Sequence, residues 1–143
     1  MESLSTSPEK SRPPVVSASG DKLKVIVVED DFLVSLSVSE AIELAGMEVV
    51  ATAATAGQAV ALCETERPDL VTIDLNLCGD LVGIEVAEVL REQLDVPIIF
   101  VTAFNSPEIR EAGDKSSPLC WIEKPFTPRV MAQHLKAAIS SLH

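Results

Sequence analysis

The sequence predicts an α/β protein built on a parallel sheet with helices on both faces. Three observations predict it. Strand-like and helix-like segments alternate from Lys24 onward, the strand-like runs are almost wholly aliphatic, and an acidic or hydroxyl residue stands at the carboxyl end of several of them. Five β/α units can be counted.

Strand one, about 24 to 29, contains KVIVV and ends at Glu29. It leads to a helix from about Phe32 to Ala45, with Asp31 as N-cap and Gly46 as terminator. Strand two follows at 47–53. The helix predicted over 56–66 sets Ala56, Ala59, Val60 and Cys63 on one face, and Pro68 marks its exit. Strand three, LVTI, ends at Asp74, and the Asn76 to Gly83 loop precedes a helix with Ile84, Ala87, Leu90 and Leu94 at helical spacing. Pro97 opens strand four, which ends at Thr102. Pro107 and Gly113 then bracket at most two turns of helix, and Lys115-Ser-Ser-Pro118 is turn-like. Strand five, 119–123, reaches Lys124-Pro125, and the last helix presents Met131, Leu135, Ala138 and Leu142 on its inner face.

At 143 residues and 47% apolar content, the chain suits one domain with a proper core. Aromatic residues make up only 3%, so that core has to come from Val, Ile, Leu and Ala. The formal charge of −11 opposes the basic footprint that nucleic-acid binding needs and favours a metal or protein partner. Residues 1–21 are rich in Ser and Pro, lack the apolar stretch of a secretory signal and read as a disordered tail, leaving 22–143 as the folded unit. No run reaches the length of a membrane-spanning helix, so the expectation is a soluble, cytoplasmic protein with no membrane insertion. Cys63, Cys78 and Cys120 are odd in number and lack Cys-x-x-Cys spacing, which argues against disulfides and zinc. Cys63 reads as core, Cys78 as an inert loop thiol, and His134 and His143 as surface residues.

The acids at the strand ends carry the chemistry. In an open parallel sheet, polar groups at the carboxyl ends gather in one crevice near the point where strand order reverses, which would bring Glu29, Asp30 and Asp74 together. Two carboxylates about 4 Å apart repel by roughly 1 kcal/mol in bulk water and about 4 at a surface-like dielectric, so three want a cation. Magnesium, which takes one or two carboxylates, several waters and a phosphate oxygen, suits this set; calcium lacks its usual ligand loop here. With charge neutralised, one carboxylate can attack phosphorus, and Asp74 is the candidate nucleophile. Lys124 would offer an ammonium to the phosphoryl oxygens, and Thr102 a hydroxyl. The Lys124-Pro125 bond is open to either isomer. Taken singly, Glu29-Asp30 reads equally as a solvated strand end, Asp74 as a turn former, Thr102 as an ordinary strand residue and Lys124 as a surface charge. The weight lies in their joint order.

That ordered set, Glu29-Asp30-Asp31, Asp74, Gly83-Ile84, Thr102-Ala103 and Lys124-Pro125-Phe126, resembles the receiver domains of two-component response regulators over about Lys24 to Leu142. The resemblance implies a flavodoxin-like (βα)5 three-layer sandwich with strand order 2-1-3-4-5. It implies that Asp74 accepts a phosphoryl group from a histidine kinase or histidine phosphotransfer protein. Asp30 would bind Mg2+ directly, Glu29 would hold a metal-bound water, and Asn76 would give its backbone carbonyl to the metal. Thr102 and the aromatic residue three before the lysine, here Trp121, would change rotamer together. The chain would then be a signalling receiver and not an enzyme, assisting only its own phosphorylation and dephosphorylation.

Two features depart from the family pattern. Tyr or Phe usually stands where Trp121 does, and the bulk of the indole opposes the ordinary inward swing. The fourth helix is weak, Gly113 lies farther from the lysine than its usual counterpart, and Phe100-Val-Thr-Ala-Phe104 resembles a receiver subclass with a shortened or mobile fourth helix. Phe104, two beyond Thr102, is expected to crowd the path of attacking water and lengthen the phosphoryl lifetime. With no output domain after Leu142, the effect is expected to run through a separate downstream protein, onward transfer or a phosphate-sink role. Two other classes stand beside this reading. A phosphate-independent adaptor would tolerate Asp74→Asn. A flavin- or small-ligand-binding flavodoxin-like protein is opposed by the acidic cluster and by the lack of a Gly-rich phosphate loop.

Overall fold

A computed structural model describes residues 22–77, 82–103 and 106–142. The predicted tail, Cys78, Phe104 and His143 lie outside the described residues. The elements run β1 (Lys24–Val28), α1 (Phe32–Leu44), β2 (Glu48–Ala53), α2 (Ala56–Glu66), β3 (Leu70–Asp74), α3 (Val82–Leu94), β4 (Ile98–Thr102), α4 (Pro107–Asp114), β5 (Cys120–Glu123) and α5 (Pro128–Ile139), followed by a 3-10 turn at Ser140–Leu142. The sheet is parallel throughout, in the order β2-β1-β3-β4-β5.

Strand alternation explains why β1, β3 and β4 carry so few polar residues. Val25 and Val27 face a core shared with α1 and α5, containing Val38, Ile42, Met131 and Leu135. Ile26 and Val28 face the opposite core with Ala59, Cys63, Val86 and Leu90 from α2 and α3. Both faces are covered, so every position of β3 and β4 is buried.

Local signals end the helices where the sequence places them. Asp31 Oδ1 accepts from the Leu33 and Val34 N–H groups at the start of α1. Gly46, with φ 89°, takes the left-handed position after it. Thr55, Ser106 and Thr127 cap α2, α4 and α5 through their hydroxyls.

Two inner faces differ from expectation by part of a turn. On α3 the fully buried residues are Gly83, Val86, Ala87 and Leu90, while Ile84 and Leu94 are half-buried at the margins. On α5 they are Met131, Ala132, Leu135 and Ile139, with Ala138 and Leu142 packed partly against them. An apolar stripe read at i, i+3 and i+4 drifts around the helix, and the sheet selects the line that lies flat on it. The short α4, predicted from Pro107 and Gly113, is eight residues long and buries only Gly113.

Candidate functional site

The strand order makes the site. β1 lies between β2 and β3, so the connections leave in opposite directions at that point and a crevice opens beyond the carboxyl ends of β1 and β3. Val28 pairs with Ile73, which sets Glu29 and Asp30 beside Asp74. One carboxylate oxygen from each of these three residues lies within 4.8 Å of the others.

Local backbone bonds aim two of them. Glu29 is 5% exposed and Asp74 6%, whereas Asp30 is open to solvent. Glu29 Oε2 accepts from the Asp31 N–H at 3.1 Å, and the Glu29 N–H donates to the Ala53 carbonyl at 2.9 Å. Asp74 Oδ1 accepts from the Asn76 N–H, also at 3.1 Å. Asn76 is half-buried in the turn that follows β3.

Lys124 closes the pocket from the far end of the chain. Its Nζ is 3.2 Å from Glu29 Oε1 and 3.5 Å from Asp74 Oδ1. Its N–H donates to the Thr102 carbonyl at 2.9 Å, which joins the ends of β4 and β5. The bond from Lys124 to Pro125 is cis. Thr102 is buried at the end of β4, on the same sheet face as Phe100.

The charge balance of this pocket is uneven. The Glu29 carboxyl is pushed up to about 7, first by burial and then by the Asp74 charge, against the lowering effects of the Asp31 N–H and Lys124. Two buried acids and an exposed one share a single nearby ammonium among the described residues. Hard oxygen donors this close, with the Glu29 carboxyl raised first by burial and further by the Asp74 charge, fit a divalent cation such as Mg2+. Glu29, Asp30 and Asp74 are the residues able to hold it.

Gly83 sets how closely α3 approaches this crevice. A Cβ there would collide with the Asp74 carbonyl oxygen and stand 2.7 Å from Leu75 Cα, while its N–H donates to the Leu75 carbonyl at 3.1 Å. Any side chain would push α3 away from the end of β3 that carries Asp74.

Trp121 does not join the acidic pocket. It lies beside Phe100, with centroids 4.8 Å apart and rings tilted by 42°. Its Nε1 donates to Asp114 Oδ1 at 2.9 Å, and the Arg110 guanidinium carbon sits 4.6 Å from the ring centroid. Sequence reasoning passed over Arg110 and Asp114, although their i, i+4 spacing on a short helix set them on one face. It also passed over an apolar groove of about 320 Å3 lined by Leu33, Val34, Ser37, Lys124, Pro125 and Phe126. The signal for that was available, since Phe32, Leu33 and Leu36 leave three large apolar side chains at the start of α1 and all are at least half exposed. His134 is exposed, and Cys63 is buried as expected.

Comparison with known proteins gives a consistent picture. A family model described as response regulator receiver domain matches residues 25–136. The phyllosphere-induced regulator PhyR of Methylorubrum extorquens is 29% identical over 117 residues, covering 81% of this chain and 43% of that protein. The solution structure of the PhyR receiver domain of Erythrobacter litoralis is 32% identical, with a TM-score of 0.71, covering 83% of this chain and 91% of that one. The receiver domain of a modulated diguanylate cyclase from Desulfovibrio desulfuricans is 28% identical with a TM-score of 0.74, covering 85% and 96%. The chain spans about half the length of the curated relatives it matches.

Proposed function

The chain belongs to the response regulator receiver domain family, and on that premise we propose that it is a cytoplasmic phosphoacceptor in a two-component relay, with Asp74 as the acceptor. The observation that carries this is Lys124 Nζ lying between Glu29 Oε1 and Asp74 Oδ1, in a pocket where three carboxylates converge. An Asp74 oxygen attacks the phosphorus of a phosphohistidine. The P–O bond forms as the P–N bond breaks, and the imidazole leaves and takes up a proton.

Each residue has a distinct part. Asp74 is held by the Asn76 N–H at one oxygen, which leaves the other for attack. Lys124 shifts its ammonium onto the transferred phosphoryl oxygens, and Thr102 offers its hydroxyl to them. Asp30 and Asp74 would hold Mg2+ directly and Glu29 through water, and Asn76 would offer its backbone carbonyl. When bound, the ion neutralises the carboxylates and the phosphoryl oxygens against which attack would otherwise be repelled. The chain acts as a receiver that assists only its own phosphorylation and dephosphorylation, and its output is a change in which protein it binds.

A partner has a place to dock. The groove between Leu33, Val34 and Phe126 opens beside Lys124, and Leu33 is 72% exposed. A phosphohistidine-bearing helix laid there would present its ring to Asp74 while covering apolar surface.

The test is the intact mass of wild type and Asp74→Ala after incubation with acetyl phosphate, each with and without magnesium. One added phosphoryl group that requires both magnesium and Asp74 is the expected result. An adduct that persists in Asp74→Ala would sink the assignment. No adduct, together with unchanged Trp121 fluorescence on adding beryllofluoride and magnesium, would favour the phosphate-independent adaptor.

A further inference from the structure

Trp121 is enclosed on several sides by groups from one short helix. Arg110 covers a ring face, Asp114 accepts the indole N–H, and Gly113 leaves the space that the benzo edge occupies. A Cβ at 113 would stand 2.5 Å from Trp121 Cη2, 2.7 Å from Cζ2 and 3.2 Å from Phe100 Cε2. The glycine makes room for the tryptophan, and a side chain at 113 would force the indole or Phe100 to yield.

The helix needs this support. Eight residues are too few to be stable alone, and Gly113, its single buried residue, brings no side chain to the core. Ile109 is its one hydrophobic residue packed against the sheet cluster. Asp114 closes the helix at the end where the macrodipole disfavours a carboxylate, so its placement makes sense as an acceptor for the indole.

We propose that Trp121 is a strap that fastens α4 to β5, a positioning role for α4 in place of an aromatic ring that swings alone. The strap sets one wall of the groove between α4 and α5, whose lining includes Arg110 and Trp121 opposite Phe126, Val130 and His134 over Ile122. A change at the phosphoacceptor site then reaches that surface by moving helix and ring as a unit. This last step rests on the proposed function; the strap itself does not.

Two measurements on the full chain separate these parts. In the unphosphorylated protein, amide hydrogen exchange over 107–114 should quicken roughly two- to tenfold in Asp114→Ala and in Arg110→Ala, the loss of one hydrogen bond or one cation–π contact, with exchange over 32–44 unchanged. Asp114→Asn, which keeps an acceptor oxygen, should restore the wild-type rate, a rescue that mere loss of surface charge does not predict. Unchanged exchange in both alanine variants overturns the strap. Addition of beryllofluoride and magnesium should then change the emission of Trp121, the single tryptophan, and the exchange of 107–114 together. Emission that changes while exchange over 107–114 stays put means the ring moves alone, and the proposal fails. No change in either, with no phosphoryl adduct on Asp74, retires the phosphoacceptor assignment, and the strap is then decided by the variants.

Discussion

Helices α1 and α4 pack on opposite faces of the sheet and are held there in different ways. α1 has thirteen residues, buries Ser35, Val38, Ala41 and Ile42, and is capped by two N–H bonds to Asp31. α4 has eight, buries only Gly113, and is capped by one bond to Ser106. Burial secures the first, a non-directional force spread over many atoms. The second depends on a few directional contacts to Trp121 and on Ile109, so its place can be altered by one side chain. A receiver needs both kinds of attachment, because a fixed half keeps the carboxylates in register while a lightly held half can respond.

The widest separation between the two should come from core truncation. Ile42→Ala on α1 is expected to lower global stability by about 2–5 kcal/mol, measured by urea unfolding, with Trp121 fluorescence and far-UV circular dichroism giving one shared transition. A loss below about 1 kcal/mol would mean that α1 is not anchored by burial in the way its contacts indicate.

Gly113→Ala tests the other half. Overpacking against Trp121 and Phe100 should cost roughly 1–3 kcal/mol, and the disturbance should stay local, with faster exchange confined to 107–114 and neighbouring β5. A variant as stable as wild type, with unchanged indole emission, would show that α4 is not fitted to the ring.

The pH dependence sharpens the comparison at the acidic pocket. Glu29 is raised from 4.5 to about 7, first by burial, so between those values the folded state holds a proton that the unfolded state has released. That contribution to stability is fully present below about 4.5 and is lost as pH rises through 7. Without metal, Tm should therefore fall by several degrees, on the order of 5–10 °C, from pH 5 to pH 8. Millimolar magnesium should raise Tm more at pH 8 than at pH 5, since the cation and the proton compete for the same carboxyl. Glu29→Gln should remove that part of the slope, and a slope unchanged in this variant would assign it to another group.

The smallest effect should come from the α1 cap. Asp31→Ala is expected to cost about 1 kcal/mol while leaving the exchange of α4 untouched, as calorimetry and exchange over 107–114 would check. A response in α4 would mean that the two helices are coupled through the pocket.

The local signals were legible for a plain reason. The N-cap at Asp31, the terminator at Gly46, the break at Pro68 and the two-turn limit between Pro107 and Gly113 are set by neighbours a few residues apart, and a linear sequence preserves those distances. The inner faces of α3 and α5 were legible only to within part of a turn, because the sheet decides which apolar line lies flat. Lys124 meets Glu29 from 95 residues away, a distance at which no periodicity operates. The acids and the lysine could be named from their ordered resemblance to a family, but not their spacing or the displaced Glu29 titration.

The sequence by itself determined the five β/α units, the residue types at the strand ends and the two boundaries of α1 at Asp31 and Gly46, since these follow from side-chain periodicity and backbone hydrogen-bond chemistry within one or two turns of chain. Only the tertiary structure decided that the Lys124 ammonium lies between Glu29 and Asp74, that burial raises Glu29, and that Trp121 is held by Arg110, Gly113 and Asp114. Each of these depends on which strands are neighbours at the switch point and on what the packed helices exclude from water, quantities that exist only once the sheet has closed its order.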